Sequence, residues 1–288
     1  MLRFIKHRLV GIWAILALTG CASAVDLSET SRGSHLRPEV LQAAPYPIQA
    51  LLPTGTDYKT LRVYIEGDGH AWATRTQPST DPTPRKSILA VFAAEDSEPA
   101  VYLARPCQFV MADGCKPALW TSDRFGRAAV DAMSSALDSL KASYQTQTFE
   151  LVGYSGGAAI ALILAGERND VRQVRTIAGN LDPNTWARLK HLTPLSGSIS
   201  PLAYSARLAI IPQQHLIGDD DQVIPAGVLQ AYLQKLKPLC TSTVVVPGAT
   251  HDNGYASAWR AARDQPFKCE TTNRETPHAH SDNHPARG

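Results

Sequence analysis

Ser155 stands between glycines in "LVGYSGGAAIALILAG", residues 151–166. A serine hydroxyl attacks a carbonyl carbon only when a nearby base takes its proton and a third group orients that base. Downstream, "HLIGDDDQVIP" supplies three adjacent carboxylates, Asp219, Asp220 and Asp221, and "VVVPGATHDNGY" supplies His251. Acyl transfer is the chemistry such a set would perform. Of the nine histidines, His191 and His215 fall in helix-like and strand-like stretches, and three, His278, His280 and His284, fall in a polar terminal stretch. His251 is therefore the expected base, with His70 the other loop histidine. The acid is one of Asp219, Asp220 and Asp221, of which Asp221 could instead cap a helix starting near Pro225.

Such residues act together only if a scaffold delivers them to one place. Apolar strand-like runs, "LRVYIEG", "AVYLARP", "TFELVGY", "VRTIAG", "QQHLIG" and "STVVVPG", alternate with helical patterns. In "DRFGRAAVDAMSSALDSLKASY" the positions Phe125, Ala129, Ala132, Met133, Ala136, Leu137 and Leu140 recur at helical spacing. This alternation predicts an α/β domain with a mostly parallel sheet covered on both faces. Sheets of that kind bind ligands at the carboxyl ends of their strands. Each candidate lies just beyond a strand-like run.

Gly153, Ser155 and Gly157 form G-x-S-x-G. Alone, the pattern arises by chance in roughly one chain in ten of this length, so its setting decides. It follows "FELV" and precedes "AAIALILAG", the strand–turn–helix context of a nucleophile elbow. With the order serine, acid, histidine, the chain resembles the α/β-hydrolase family over about residues 46–268. The family's late acid often sits in G-x-x-D-x-V-x-P, matched by Gly218, Asp221, Val223 and Pro225, and its histidine follows the last strand, as Gly248 and His251 do. The resemblance implies an α/β-hydrolase fold with at most a small cap and a serine hydrolase acting on carboxylic esters. It implies catalytic Ser155, Asp221 and His251. Oxyanion donors are expected at the N–H of Gly156 and, from the early loop "YIEGDGHAW", of Asp68. Glu66 replaces the histidine the family often has before that glycine, which leaves its role open; His70 and Trp72 become candidates for the pocket wall. No metal and no organic cofactor is implied. A peptidase or amidase on the same three residues, or a non-catalytic envelope-binding lipoprotein, are the rival readings.

The remaining features concern address and cross-links. "MLRFIKHRLVGIWAILALTGCAS" has three early basic residues and an apolar run too short for a comfortable membrane span, the layout of a secretory signal. "LTGC" resembles a bacterial lipobox, which implies a signal peptide over 1–20, lipidation of Cys21 and, with Ala22 following, attachment to the outer membrane facing the periplasm. A polar tether is expected over 21–45, the hydrolase domain over 46–269 and a disordered tail over 270–288. The tail histidines could hold a metal, but a polar end is the simpler expectation. Four further cysteines, Cys107, Cys115, Cys240 and Cys269, form an even set in an exported chain. Sequence alone allows three connectivities. Crossover geometry favours 240–269, since both cysteines should reach one end of the sheet, and 107–115 within one loop. The net charge of +2, with 28 basic and 26 acidic residues, gives no basic patch for nucleic acid. The expected partners are a small acyl substrate and, through the lipid anchor, a membrane.

Overall fold

The computed structural model describes residues 24–267 and Cys269. An eight-stranded sheet runs through it: β1 (Leu36–Leu41), β2 (Ile48–Pro53), β3 (Thr60–Ile65), β4 (Ala100–Leu103), β5 (Thr148–Tyr154), β6 (Val171–Ile177), β7 (Gln213–Gly218) and β8 (Thr241–Val246). The strand order is β1-β2-β4-β3-β5-β6-β7-β8. From β4 to β8 all neighbours are parallel, while β2 joins β4, and β1 joins β2, antiparallel.

Alternation along the strands sorts side chains into two layers. Leu61, Val63 and Ile65 of β3 point to the face covered by α3 (Arg127–Tyr144), α4 (Gly156–Glu167) and α7 (Gly227–Leu236). Tyr64 and Tyr102 point to the opposite face, packed by α1 (Leu27–Thr30), α2 (Ile88–Ala94) and α8 (Ala256–Arg263), where Trp259 lies edge-on to Tyr64. Both faces being covered explains why the central strands read as near-continuous apolar runs. Helix α4 is buried along almost its whole length, so its sequence carries no polar stripe. A short helix, α5 (Pro183–Leu189), and a single turn, α6 (Ser205–Leu208), fill the connection from β6 to β7. No large lid is inserted there.

The expected tether is partly structured. Residues assigned to it form α1 and β1, and β1 pairs with β2 along its full length, from Leu36 opposite Pro53 to Leu41 opposite Ile48. The four interior positions of β1 are exposed, so this edge strand lacks the apolar signal that marks the others. Cys107 pairs with Cys115, and Cys240 with Cys269. The expected signal peptide, Cys21 and the tail over 270–288 lie outside the described residues.

Candidate active site

Ser155 occupies the hinge between β5 and α4, with φ 51° and ψ −120°. A residue with a β-carbon holds such a conformation only where its surroundings over-determine it. The Ser155 N–H donates to the Ile177 carbonyl, and its own carbonyl accepts from the amides of Asn180 and Ala158. The flanking glycines allow the tight turn. A β-carbon on Gly153 would press on the Ala158 backbone, and one on Gly157 would press on the carbonyl oxygens of Ile65 and Glu66. The turn therefore fixes the serine at the carboxyl edge of the sheet.

Strands β7 and β8 bring the other two groups to it. Ser155 Oγ lies 2.9 Å from His251 Nε2, and His251 Nδ1 lies 2.9 Å from Asp221 Oδ2. The second carboxylate oxygen of Asp221 accepts from the amides of Val223 and Ile224, each at 2.8 Å. Two amides and one imidazole thus lock a buried carboxylate into one orientation. Its neighbours do other work. Asp219 accepts from the Gly248 amide at 2.6 Å and so braces the turn that leads to His251, while Asp220 is exposed. His215 is buried in β7 beside Thr176, where burial lowers its pKa to about 3; it stays far from the protonation behaviour of a base working near neutrality.

The loop after β3 packs against this hinge. Gly67 sits against Ser155, and the Asp68 carboxylate lies against the α-carbon of Gly156. Among the described residues the amides of Asp68 and Gly156 have no acceptor. Glu66, left open by sequence, is an anchor. It is fully enclosed, with one oxygen accepting from the Gly67 amide at 2.8 Å and the other from the hydroxyls of Ser87 and Tyr102. Burial pushes its pKa up, opposed by these three donors and by Arg105. Asp68 is held in turn by Arg124, at 2.6 Å, and faces Arg105 at 3.5 Å. Burial lowers the Arg105 pKa to about 10, partly offset by the Asp68 charge.

A cavity of about 570 Å³ opens over Ser155 and His251, within the usual range for small-ligand sites. His70, Trp72, Arg85, Lys86, Arg124 and Val223 line it. His70 and Trp72 thus stand where the sequence placed them as wall candidates. Sequence reasoning missed Tyr154 and Arg124. The Tyr154 ring packs on the His251 imidazole at 5.3 Å, and its hydroxyl donates to Asp252 and to the His251 carbonyl. Tyr154 is the variable position of the serine motif, so only its adjacency to Ser155 could have signalled the role. Arg124 comes from a loop distant in sequence, and nothing in its local pattern marks it.

No protein-family profile matches the chain, and no curated protein does. Solved structures do. An esterase from Pyrococcus furiosus aligns over 88% of this chain and 92% of its own, with a TM-score of 0.59 at 14% identity. An alpha-beta serine hydrolase homologue from Coxiella burnetii aligns over 79% of this chain and 93% of its own, with a TM-score of 0.51 at 14% identity. An acylaminoacyl peptidase from Pyrococcus horikoshii aligns over 75% of this chain but 37% of its own, with a TM-score of 0.53 at 14% identity. The eight-stranded, mostly parallel sheet with helices on both faces, shared with these neighbours, is the α/β-hydrolase fold.

Proposed function

We propose that the protein is a serine hydrolase that cleaves carboxylic esters through an acyl-enzyme. The observation that carries this reading is the unbroken run of hydrogen bonds from Ser155 through His251 to Asp221. In the proposed reaction Ser155 Oγ attacks the acyl carbonyl while His251 Nε2 takes the hydroxyl proton. The carbonyl oxygen becomes an oxyanion, stabilised by the amides of Gly156 and Asp68. Collapse expels the alcohol, which leaves with the proton returned by His251. Water, deprotonated by the same imidazole, then attacks the acyl-enzyme and frees the acid and Ser155. Asp221 remains ionised throughout; it holds the imidazole tautomer and stabilises the imidazolium.

The Glu66 anchor supports this account of the oxyanion site. A loop whose amides must not reorganise as charge develops needs rigid support, and three donors on one buried carboxylate provide it. The ester reading is tested with a panel of acyl esters, thioesters and amides. Wild type should turn over the esters fastest, and Ser155→Ala should lose that turnover while melting at an unchanged temperature. Amides outpacing esters would move the assignment to a peptidase.

We also propose that the chain is exported and held to the outer membrane by a lipid on Cys21, a reading supported by "LTGC" at residues 18–21. Cys21→Ala should shift the protein from the detergent phase to the aqueous phase or leave it unprocessed. Unchanged partitioning of a correctly cleaved variant would refute the anchor.

A further inference from the structure

The cavity over Ser155 and His251 has an apolar neighbour. A second hollow of about 440 Å³ shares Arg85, Lys86, Ile88, Asp252 and Asn253 with it and continues between α2 and the turn before α8. The surfaces beyond the junction are mainly apolar, from Val25, Val91, Phe92, Tyr255 and Ala256, with Thr30 and Ser87 as the polar side chains. Val91 is 41% exposed although it faces this hollow, so among the described residues nothing covers this apolar side chain of the helix. An apolar trough that shares five wall residues with the cavity over Ser155 fits the hydrocarbon part of the molecule being attacked.

We propose that this trough holds the acyl chain of the substrate, and that the ester is drawn from the lipid surface to which the protein is tethered. The first part rests on the serine-hydrolase reading, and the lipid source rests also on acylation of Cys21. Three observations commit the site to a lipid. The Val25 amide donates to the Pro84 carbonyl at 3.0 Å, and Pro84 lines the catalytic cavity. The chain thus arrives at the rim of the active site. Cys21 lies four residues earlier, and four residues reach at most about 14 Å. An anchor there would hold the cavity mouth close to the bilayer. Arg85 and Lys86 are exposed at the junction, and no carboxylate among the described residues pairs with either, which suits an anionic headgroup layer. Trp72 and Val223, both exposed, line the catalytic opening, and an indole favours the interface between water and hydrocarbon.

The test uses the full chain. On monomeric 4-nitrophenyl esters, kcat/KM should rise from acetyl to octanoyl by roughly twofold per methylene, since a fully buried methylene would give about fourfold. Val91→Asp should cut the octanoyl-to-acetyl ratio at least tenfold. A fluorophosphonate bearing an alkyl chain with a terminal diazirine, bound at Ser155 of the wild type, should crosslink to α2 or to residues 254–256, which reads the trough without any substitution. A flat chain-length series, or crosslinks confined to α5, would overturn the acyl site while labelling of Ser155 left the hydrolase reading standing. Absence of labelling together with absence of ester turnover would remove the hydrolase reading and the acyl site with it. In phosphatidylcholine–phosphatidylglycerol vesicles carrying 4-nitrophenyl dodecanoate, the vesicle-held ester should be hydrolysed. Hydrolysis of monomeric esters alone would overturn the lipid source and leave the trough.

Discussion

Three aspartates in a row separate into three environments, and that separation is where residue identity becomes role. Asp221 alone reaches His251, and its remaining oxygen is occupied by two amides. Loss of its charge should disturb the imidazole tautomer, an effect worth about 10⁴-fold in rate at comparable sites. Asp221→Asn should therefore lower kcat by several orders of magnitude with little change in KM, measured on any ester the wild type accepts. Asp220→Asn should change the rate less than threefold, because its side chain is exposed. Asp219→Asn should fall between them, within roughly tenfold or about 1.4 kcal/mol of barrier, because it removes only the brace on Gly248. Severe loss at Asp219 with a mild effect at Asp221 would show that the acid has been misassigned. Sequence pattern singled out Asp221 through its spacing to Val223 and Pro225. It could not show the support given by Tyr154, whose ring contacts His251 across 97 residues of chain.

At the scale of elements, the geometry depends on how closely α4 can approach β3 and β5. Gly157 meets the backbone carbonyls at the end of β3, where no side chain can give way. Gly157→Ala must therefore move either the helix or the loop that carries Asp68. A loss of about 2–4 kcal/mol is expected, comparable to other overpacked or strained core positions, with activity falling further than stability. Gly248 is the contrast. It has φ +68° but open space around it, so Gly248→Ala should cost only about 1–2 kcal/mol from the left-handed backbone. Thermal melts of the two variants, read beside their ester kinetics, check the difference. If Gly157→Ala were as stable and active as wild type, close helix–strand packing would not be what positions the hinge. Strands β3 to β8 were legible as apolar runs in the sequence; β2 was not, although five of its six positions are buried. Strand β1 was not, since its exposed positions carry Arg37, Pro38, Glu39 and Val40, and its pairing with β2 is visible only in three dimensions.

For the whole molecule, the sheet separates chemistry from support. The carboxyl ends of β3, β5, β7 and β8 gather the loop of Asp68, the hinge of Ser155, Asp221 and His251. The opposite end holds a further cavity, of about 640 Å³. There Arg62 and Arg263 are met by carboxylates, with Arg62 on buried Asp96 at 3.0 Å, while buried Arg175 donates to Gln214 and to the carbonyls of Ala262 and Gln265, so these arginines tie the strand starts to the segment after α8. Alternation of strands and helices made this polarity legible, because a parallel sheet sends every βα loop to one end. The loops crossing the carboxyl end were harder to read: Arg124, which lines the cavity over Ser155, stacks on Trp186 at 5.8 Å, from a distant part of the sequence. The central claim is that this end assembles an activated serine. Its most direct test is reaction of the intact protein with a fluorophosphonate, followed by digestion and mass spectrometry of the adduct. A single phosphonyl group on Ser155, absent from Ser155→Ala and strongly slowed in His251→Ala, is the expected result. An unmodified Ser155 in folded protein, or equal labelling of the His251→Ala variant, would contradict it.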